Sequence, residues 1–175
     1  IKNDLDKYLP KIKSADIDNI EAIVANQYFK LMFGLKFARG NECLINSCLN
    51  YGYAIIRGLI ARTIVSHGLM PFLGVWHKNQ LNAFNLVDDI IEPFRPIIDL
   101  FVFQNIKSIN QNELTREIKQ SLFEILNYDM KIDGQNQTLT NCVEILTNSF
   151  VQSITKDVAN LKCPELIKLA LHNYE

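Results

Sequence analysis

Between about Asn41 and Ser66 the sequence carries apolar residues on nearly every side of a helix, and this stretch most constrains the fold. Leu44, Ile45, Leu49, Tyr53, Ile55, Ile56, Leu59, Ile60, Ile64 and Val65 recur at helical spacing, and Gly68 closes the pattern. A helix that is apolar nearly all round needs neighbours on all sides, so it is expected at the centre of a domain. Gly52 and Gly58 inside it each cost about 1 kcal/mol relative to Ala. A close approach by a neighbouring backbone or a ligand is therefore expected at both.

The remaining elements arrange around that helix. Ile20, Ile23, Val24, Ala25, Tyr28, Leu31 and Met32 mark an earlier helix, capped by Asp16 or Asp18 and stopped by Gly34. Gly68, Pro71 and Gly74 make a stiff loop leading to His77. The next helix starts near Asn85 and carries Asp88, Asp89, Glu92, Ile98, Leu100 and Val102, with Pro93 and Pro96 kinking it or weakening its turns. Two amphipathic helices follow, roughly Asn112 to Asn127 and Thr138 to Asn160. Met130 to Gly134 makes a brief extended segment and turn between them. Near the start, Lys7-Tyr8-Leu9-Pro10 reads as the end of a short leading helix that the proline interrupts. With no internal repeat, sustained heptad or run of alternating strands, the expected class is all-α: a multi-helix domain around a long apolar central helix. No Pro-, Gly- or Ser-rich linker divides residues 1–175, which read as one helical domain, with 1–15 as a leading helix or inter-domain linker.

Composition excludes some classes. At 48% hydrophobic, the 175 residues can bury a core, but apolar runs such as Ala54-Ile55-Ile56 are far too short to cross a bilayer. The N-terminal residues are charged and polar, unlike a signal peptide, and a chain opening on Ile1 suits a piece of a longer protein. Cys43, Cys48, Cys142 and Cys163 form no C-x-x-C pair, which points to reduced or buried thiols and a cytoplasmic protein rather than a zinc site. The net charge of −1 argues against a non-specific nucleic-acid binder but leaves room for a basic patch beside metal-binding carboxylates.

Acidic residues and one imidazole supply the chemistry. Asp89 and Glu92 are three apart and share a helical face; Asp88 and Glu92, four apart, can share one instead. Like charges placed together call for a cation, a basic side chain or open solvent. His77 follows the Gly74 loop and can reach the same region, and Glu21 in the first turn of its helix can complete the group. Two carboxylates and an imidazole suit Mn²⁺ or Mg²⁺. Each residue also has an ordinary use: Glu21 as a complement to its helix dipole, Asp89 and Glu92 as a solvated face, His77 as a structural side chain beside Trp76. Spacing alone does not choose between them.

Three segments in order resemble the CRISPR adaptation integrase, the nuclease of spacer acquisition. The first is Glu21-Ala22 followed by Tyr28-Phe29 and Phe33-Gly34. The second is Asn46-x-x-Leu49-Asn50-Tyr51-Gly52-Tyr53, continuing to Gly68-Leu69-x-Pro71-x-Leu73-Gly74. The third runs from His77 to Leu86-Val87-Asp88-Asp89-Ile90-Ile91-Glu92-Pro93-Phe94-Arg95-Pro96. The run Asn79-Gln80-x-Asn82-Ala83-Phe84-Asn85 resembles the branch of type II CRISPR systems. The resemblance covers the middle of the chain firmly and the C-terminal third as a pattern of helices.

The resemblance implies a divalent-metal-dependent DNA endonuclease and integrase. Its metal-binding and catalytic residues fall on Glu21, His77 and Glu92. Asp89 stands at a neighbouring acidic position that touches the metal or orients its ligands, and Asp88 is less favoured. Mg²⁺ or Mn²⁺ is the implied cofactor. DNA, as captured fragment and as CRISPR repeat, is the implied partner, with a small ferredoxin-like adaptation protein and a homodimeric full-length protein. Arg39, Arg57, Arg62, Lys78 and Arg95 are candidates to hold the DNA backbone. Arg95 is favoured, with an ion pair to Glu92 or Asp99 as its other reading. The family's N-terminal β domain has no counterpart in these residues. Two other classes stay open: a different metal-dependent helical phosphoesterase, and a catalytically silent helical interaction module in which Glu21, His77 and Glu92 do not converge.

Overall fold

The computed structural model describes residues 5–8, 10, 19–106 and 113–174. Most of the expected 1–15 leading segment, and Asp16 and Asp18, lie outside the described residues; 5–8 form a single helical turn. Helix α1, Ile20–Phe33, starts after Asn19 and stops at Gly34, whose φ of 105° only glycine adopts easily and whose N–H returns to Lys30 O. Helix α2, Leu44–Ser66, ends in a Schellman motif: Gly68 N–H donates to Val65 O, and Leu69 N–H to Ile64 O.

Helix α3, Asn85–Ile91, passes through a 3₁₀ turn at Glu92–Phe94 into α4, Arg95–Asn105. Pro93 and Pro96 sit in the first turns of these last two pieces, where a missing N–H costs least. Thr115 caps α5, Arg116–Glu124, which tightens into a 3₁₀ turn at Ile125–Asn127. Strands β1, Asp129–Ile132, and β2, Gln135–Thr138, then form an antiparallel hairpin, and Thr138 caps α6, Leu139–Lys156.

Two expectations need correction. The class is not all-α, because the segment expected as a brief extension and turn is a two-stranded hairpin. Asp133 (φ 53°) and Gly134 (φ 80°) take the two left-handed positions of a tight hairpin turn, a conformation Asp-Gly favours. The chain after α6 then pairs along the outer edge of β1. Lys131 N–H donates to Glu165 O at 3.0 Å, Glu165 N–H returns to Lys131 O at 2.7 Å, and Asp129 N–H reaches Ala170 O.

Nor is α2 apolar nearly all round. It contacts α3, α4, α5 and α6, and buries Cys48, Leu49, Ile56, Ile60 and Ile64 among them. Ser47, Asn50, Ala54, Gly58, Arg62 and Val65, however, make a continuous exposed stripe along it. Ala and Gly read as apolar yet tolerate water, so helical spacing alone conceals the stripe. The two glycines divide accordingly. A Cβ on Gly52 would stand 2.7 Å from Ile98 Cγ2, so that close approach is to a side chain, whereas Gly58 faces open space.

All four cysteines are free thiols, with Cys48 and Cys142 buried. Among the described residues, no helix is long and apolar enough to cross a membrane.

Candidate active site

The loop between α2 and α3 is folded around one carboxylate. Gly74 lets it turn tightly: a Cβ there would fall 2.2 Å from His77 O and 2.8 Å from Asn85 Cβ. Asp89, one turn into α3, then faces three successive N–H groups. Its Oδ2 accepts from Val75 at 2.5 Å and Trp76 at 3.1 Å; its Oδ1 accepts from His77 N–H at 3.0 Å and lies 2.7 Å from His77 Nδ1. Burial works to raise the Asp89 carboxyl, but these donors, led by the His77 backbone, outweigh it and hold the group below the usual carboxylate range. With Nδ1 committed, Nε2 is the ring atom left to bind anything else.

Glu92 opens the 3₁₀ turn, and Arg95 Nε bonds its Oε1 at 3.0 Å. Desolvation pushes the Glu92 carboxyl up, and the charge of Glu21 adds to this, while Arg95 and His77 oppose it. Glu21 comes from the first turn of α1. Glu21, His77, Asp89 and Glu92 together line one cavity of about 520 Å³, whose other walls include Val75, Trp76, Leu146 and Phe150. The structure thus brings together residues from α1, the α2–α3 loop, α3 and the 3₁₀ turn. Among the described residues, no three His, Cys, Asp or Glu side chains stand close enough to close on one ion as they are.

The other residues singled out from sequence lie elsewhere or are engaged. Asp88 turns away from the cavity to take both Arg57 Nε (2.7 Å) and Nη2 (3.0 Å), with Asn82 Nδ2 at 2.7 Å. Burial opposes its charge, yet those bonds hold its carboxyl low. Arg39 donates to the Asn46 and Asn50 side-chain oxygens, and Arg62 and Lys78 are exposed. Arg95 pairs with Glu92, one of the two partners weighed for it.

Sequence reading missed what lies behind the site. Asp99 of α4 is 3% exposed and accepts hydrogen bonds from Tyr28 of α1, at 3.0 Å, and from Tyr53 of α2. Arg39 and Arg95 both stand over the Tyr53 ring, at 5.6 and 5.1 Å. Desolvation raises the Asp99 carboxyl, and it raises both phenols too, beside that carboxylate.

The family described as CRISPR associated protein Cas1 matches residues 1–131. The CRISPR-associated endonuclease Cas1 of Neisseria meningitidis is 39% identical over 167 residues, 94% of this chain and 55% of that protein. The chain therefore spans about half the length of this relative. A Cas1 endonuclease of Francisella tularensis subsp. novicida is 33% identical over 99 residues, covering 51% of this chain and 31% of its own. Among solved structures, a casposase bound to integration product shares the fold, with a TM-score of 0.69 at 22% identity over 90% of this chain and 53% of that one. On the family match and the near-complete alignment to the meningococcal protein, the chain belongs to the CRISPR-associated Cas1 family.

Proposed function

We propose that this chain carries the active centre of a metal-dependent DNA endonuclease and integrase that acts in CRISPR spacer acquisition. The observation that carries the reading is one cavity lined by Glu21, His77 and Glu92 from three separate elements, with His77 fixed through Nδ1 by Asp89. A carboxylate that orients an imidazole in this way is the usual support of a metal-binding histidine. Glu21, His77 and Glu92 would hold Mg²⁺ or Mn²⁺, hard cations that suit carboxylate oxygens and tolerate an imidazole. Closing on an ion requires these side chains to draw together from their present positions. Asp89, whose two oxygens already take the loop's donors, is assigned the orienting role.

The proposed reaction is transesterification. The 3′-hydroxyl of a DNA fragment attacks a phosphorus at the edge of a repeat; a new P–O bond forms and the old 3′ oxygen leaves with the proton. One ester replaces another, so no nucleotide cofactor is needed, and water as the nucleophile would give cleavage instead. A divalent cation held by Glu21, His77 and Glu92 would supply charge neutralisation at the reacting phosphate. Arg95, beside Glu92, would hold a phosphate oxygen, with Arg39, Arg57, Arg62 and Lys78 as weaker candidates along the backbone. The casposase that shares this fold is bound to integration product, which supports a DNA substrate for this chain. A ferredoxin-like adaptation partner, a homodimeric full-length protein and a cytoplasmic site of action belong to the same proposal.

The test is Mn²⁺ calorimetry on the chain beside Glu21→Ala and His77→Ala, followed by cleavage of a branched DNA duplex. Binding and cleavage that both substitutions abolish are expected. A folded wild-type chain that binds no Mn²⁺ would sink the metal-centre reading and favour a silent interaction module.

A further inference from the structure

We propose that the Tyr28–Asp99 hydrogen bond sets the register of α1 against α4, and so holds Glu21 opposite Glu92. Tyr28 and Asp99 are then positioning residues for the candidate centre. The proposal rests on the reading of Glu21 and Glu92 as a metal-binding pair, but its geometry stands by itself.

The two helical runs match rung for rung. Tyr28 follows Glu21 by seven residues on α1, and Asp99 follows Glu92 by seven on the continuous run through the 3₁₀ turn into α4. Seven residues make two helical turns, about 10 Å, and return to the same face. Tyr28 bonds Asp99 at 3.0 Å, and Glu21 and Glu92 line the same cavity. The runs therefore head the same way, joined at one rung by a hydrogen bond and facing one cavity at the other with two carboxylates.

Two like charges facing one cavity do not attract each other, so this pair of carboxylates does not itself fix the register. Of the residues of α1, Ile20 and Met32 are buried, and its aromatic contacts, Phe29 and Phe33 against Phe37 and Phe103, lie toward its C-terminal half. The buried carboxylate of Asp99 divides its oxygens between helices. Oδ1 takes Tyr53 of the central α2 and Oδ2 takes Tyr28 of α1. One side chain thus ties the lightly packed helix to the firmly packed one. A slip of α1 by one turn would break this bond and carry Glu21 about 5 Å from its place.

Tyr28→Phe, which removes one hydroxyl and keeps the ring, tests this in two measurements on the whole chain. Without added metal, hydrogen exchange of α1 amides should quicken by roughly tenfold relative to amides 56–64 of α2. By calorimetry, the Mn²⁺ dissociation constant should rise by a similar factor. Asp99→Ala should reproduce both effects if it folds. Equal exchange in both helices, no change in α1, or selective loosening of α1 with unaltered Mn²⁺ affinity would each overturn the proposal. A wild-type chain that fails to bind Mn²⁺ would instead sink the metal reading, and the exchange measurement alone would then decide the register bond.

Discussion

The two sides of the candidate site are built by different rules. On one side, the α2–α3 loop presents His77 on a backbone held by three N–H groups to a single carboxylate that also takes its imidazole, and Gly74 leaves no space for a side chain. On the other, Glu21 rides on a helix with two buried residues, tied to the body through one phenol and a cluster of half-buried aromatic rings. Between them stands Glu92, half-exposed and bound to Arg95. A site of this kind has its imidazole preorganised and its carboxylates adjustable. That division suits a centre that closes on a cation, because the loop side gives the carboxylate side a fixed target.

The largest effects should come from the rigid side. Asp89→Ala removes the acceptor for three N–H groups and an imidazole from a side chain only 11% exposed. Hydrogen bonds to a charged group are each worth about 1.5–3 kcal/mol, and solvent can rescue part of the set, so a loss of about 3 kcal/mol is expected in urea unfolding. The pH dependence has a definite sign. The Asp89 carboxyl is held below its unfolded value of about 3.9, so its contribution is present above that pH and is lost as pH falls toward the folded value. Wild type should show this acid-side loss of stability and Asp89→Ala should lack it. Next is Gly74→Ala, whose methyl would meet His77 O and Asn85 Cβ. Overpacking costs typically 1–3 kcal/mol, and Mn²⁺ binding should fall with it because the His77 loop must be rerouted. Unchanged stability in both variants would show that the loop is no more fixed than α1.

This contrast was only partly legible in the sequence. Gly34, Gly68 and the two prolines announced where helices stop and turn, because glycine and proline act locally. Glu21, His77 and Glu92 were reached through resemblance, since a glutamate in a first turn or an acidic pair on a helix has ordinary uses that spacing does not exclude. The hairpin was hidden by β2, whose Gln-Asn-Gln-Thr carries no apolar alternation; only Thr138 of that strand is buried. The exposed stripe of α2 was hidden by Ala54, Gly58 and Val65, which read as apolar though they face water. Asp99 was weighed only as a partner for Arg95. Its two tyrosines lie 71 and 46 residues away, and nothing local links them. The matched seven-residue intervals from Glu21 to Tyr28 and from Glu92 to Asp99 are present in the sequence, but they acquire meaning only once the two helices are known to be neighbours.

On the adjustable side the same substitutions should barely touch stability. Glu21→Ala should abolish Mn²⁺ binding while shifting the unfolding free energy by roughly 0.5 kcal/mol or less, the usual range for a surface change. A loss comparable to that of Asp89→Ala would show that Glu21 is a structural anchor and would erase the contrast.

The smallest effect is the sharpest test of the carboxylate side, because its sign is opposite. Desolvation lifts the Glu92 carboxyl above its ordinary value of about 4.3, with Glu21 assisting. The folded state then holds that proton more tightly than the unfolded chain. Stability contributed by the protonated form is full below the unfolded value and is lost as pH rises through the folded one. Glu92→Gln should therefore melt slightly higher than wild type at neutral pH without added metal. Its side chain is 47% exposed and it forfeits part of the Arg95 pair, so the gain is held to roughly 0.3 kcal/mol. Added Mn²⁺ should reverse the ranking, raising the melting temperature of wild type and leaving Glu92→Gln unmoved. A residue that costs stability alone and returns it with a cation is behaving as a ligand. If Glu92→Gln is instead the less stable protein at neutral pH, the Arg95 ion pair outweighs the desolvation, and Glu92 belongs with the rigid side of the site.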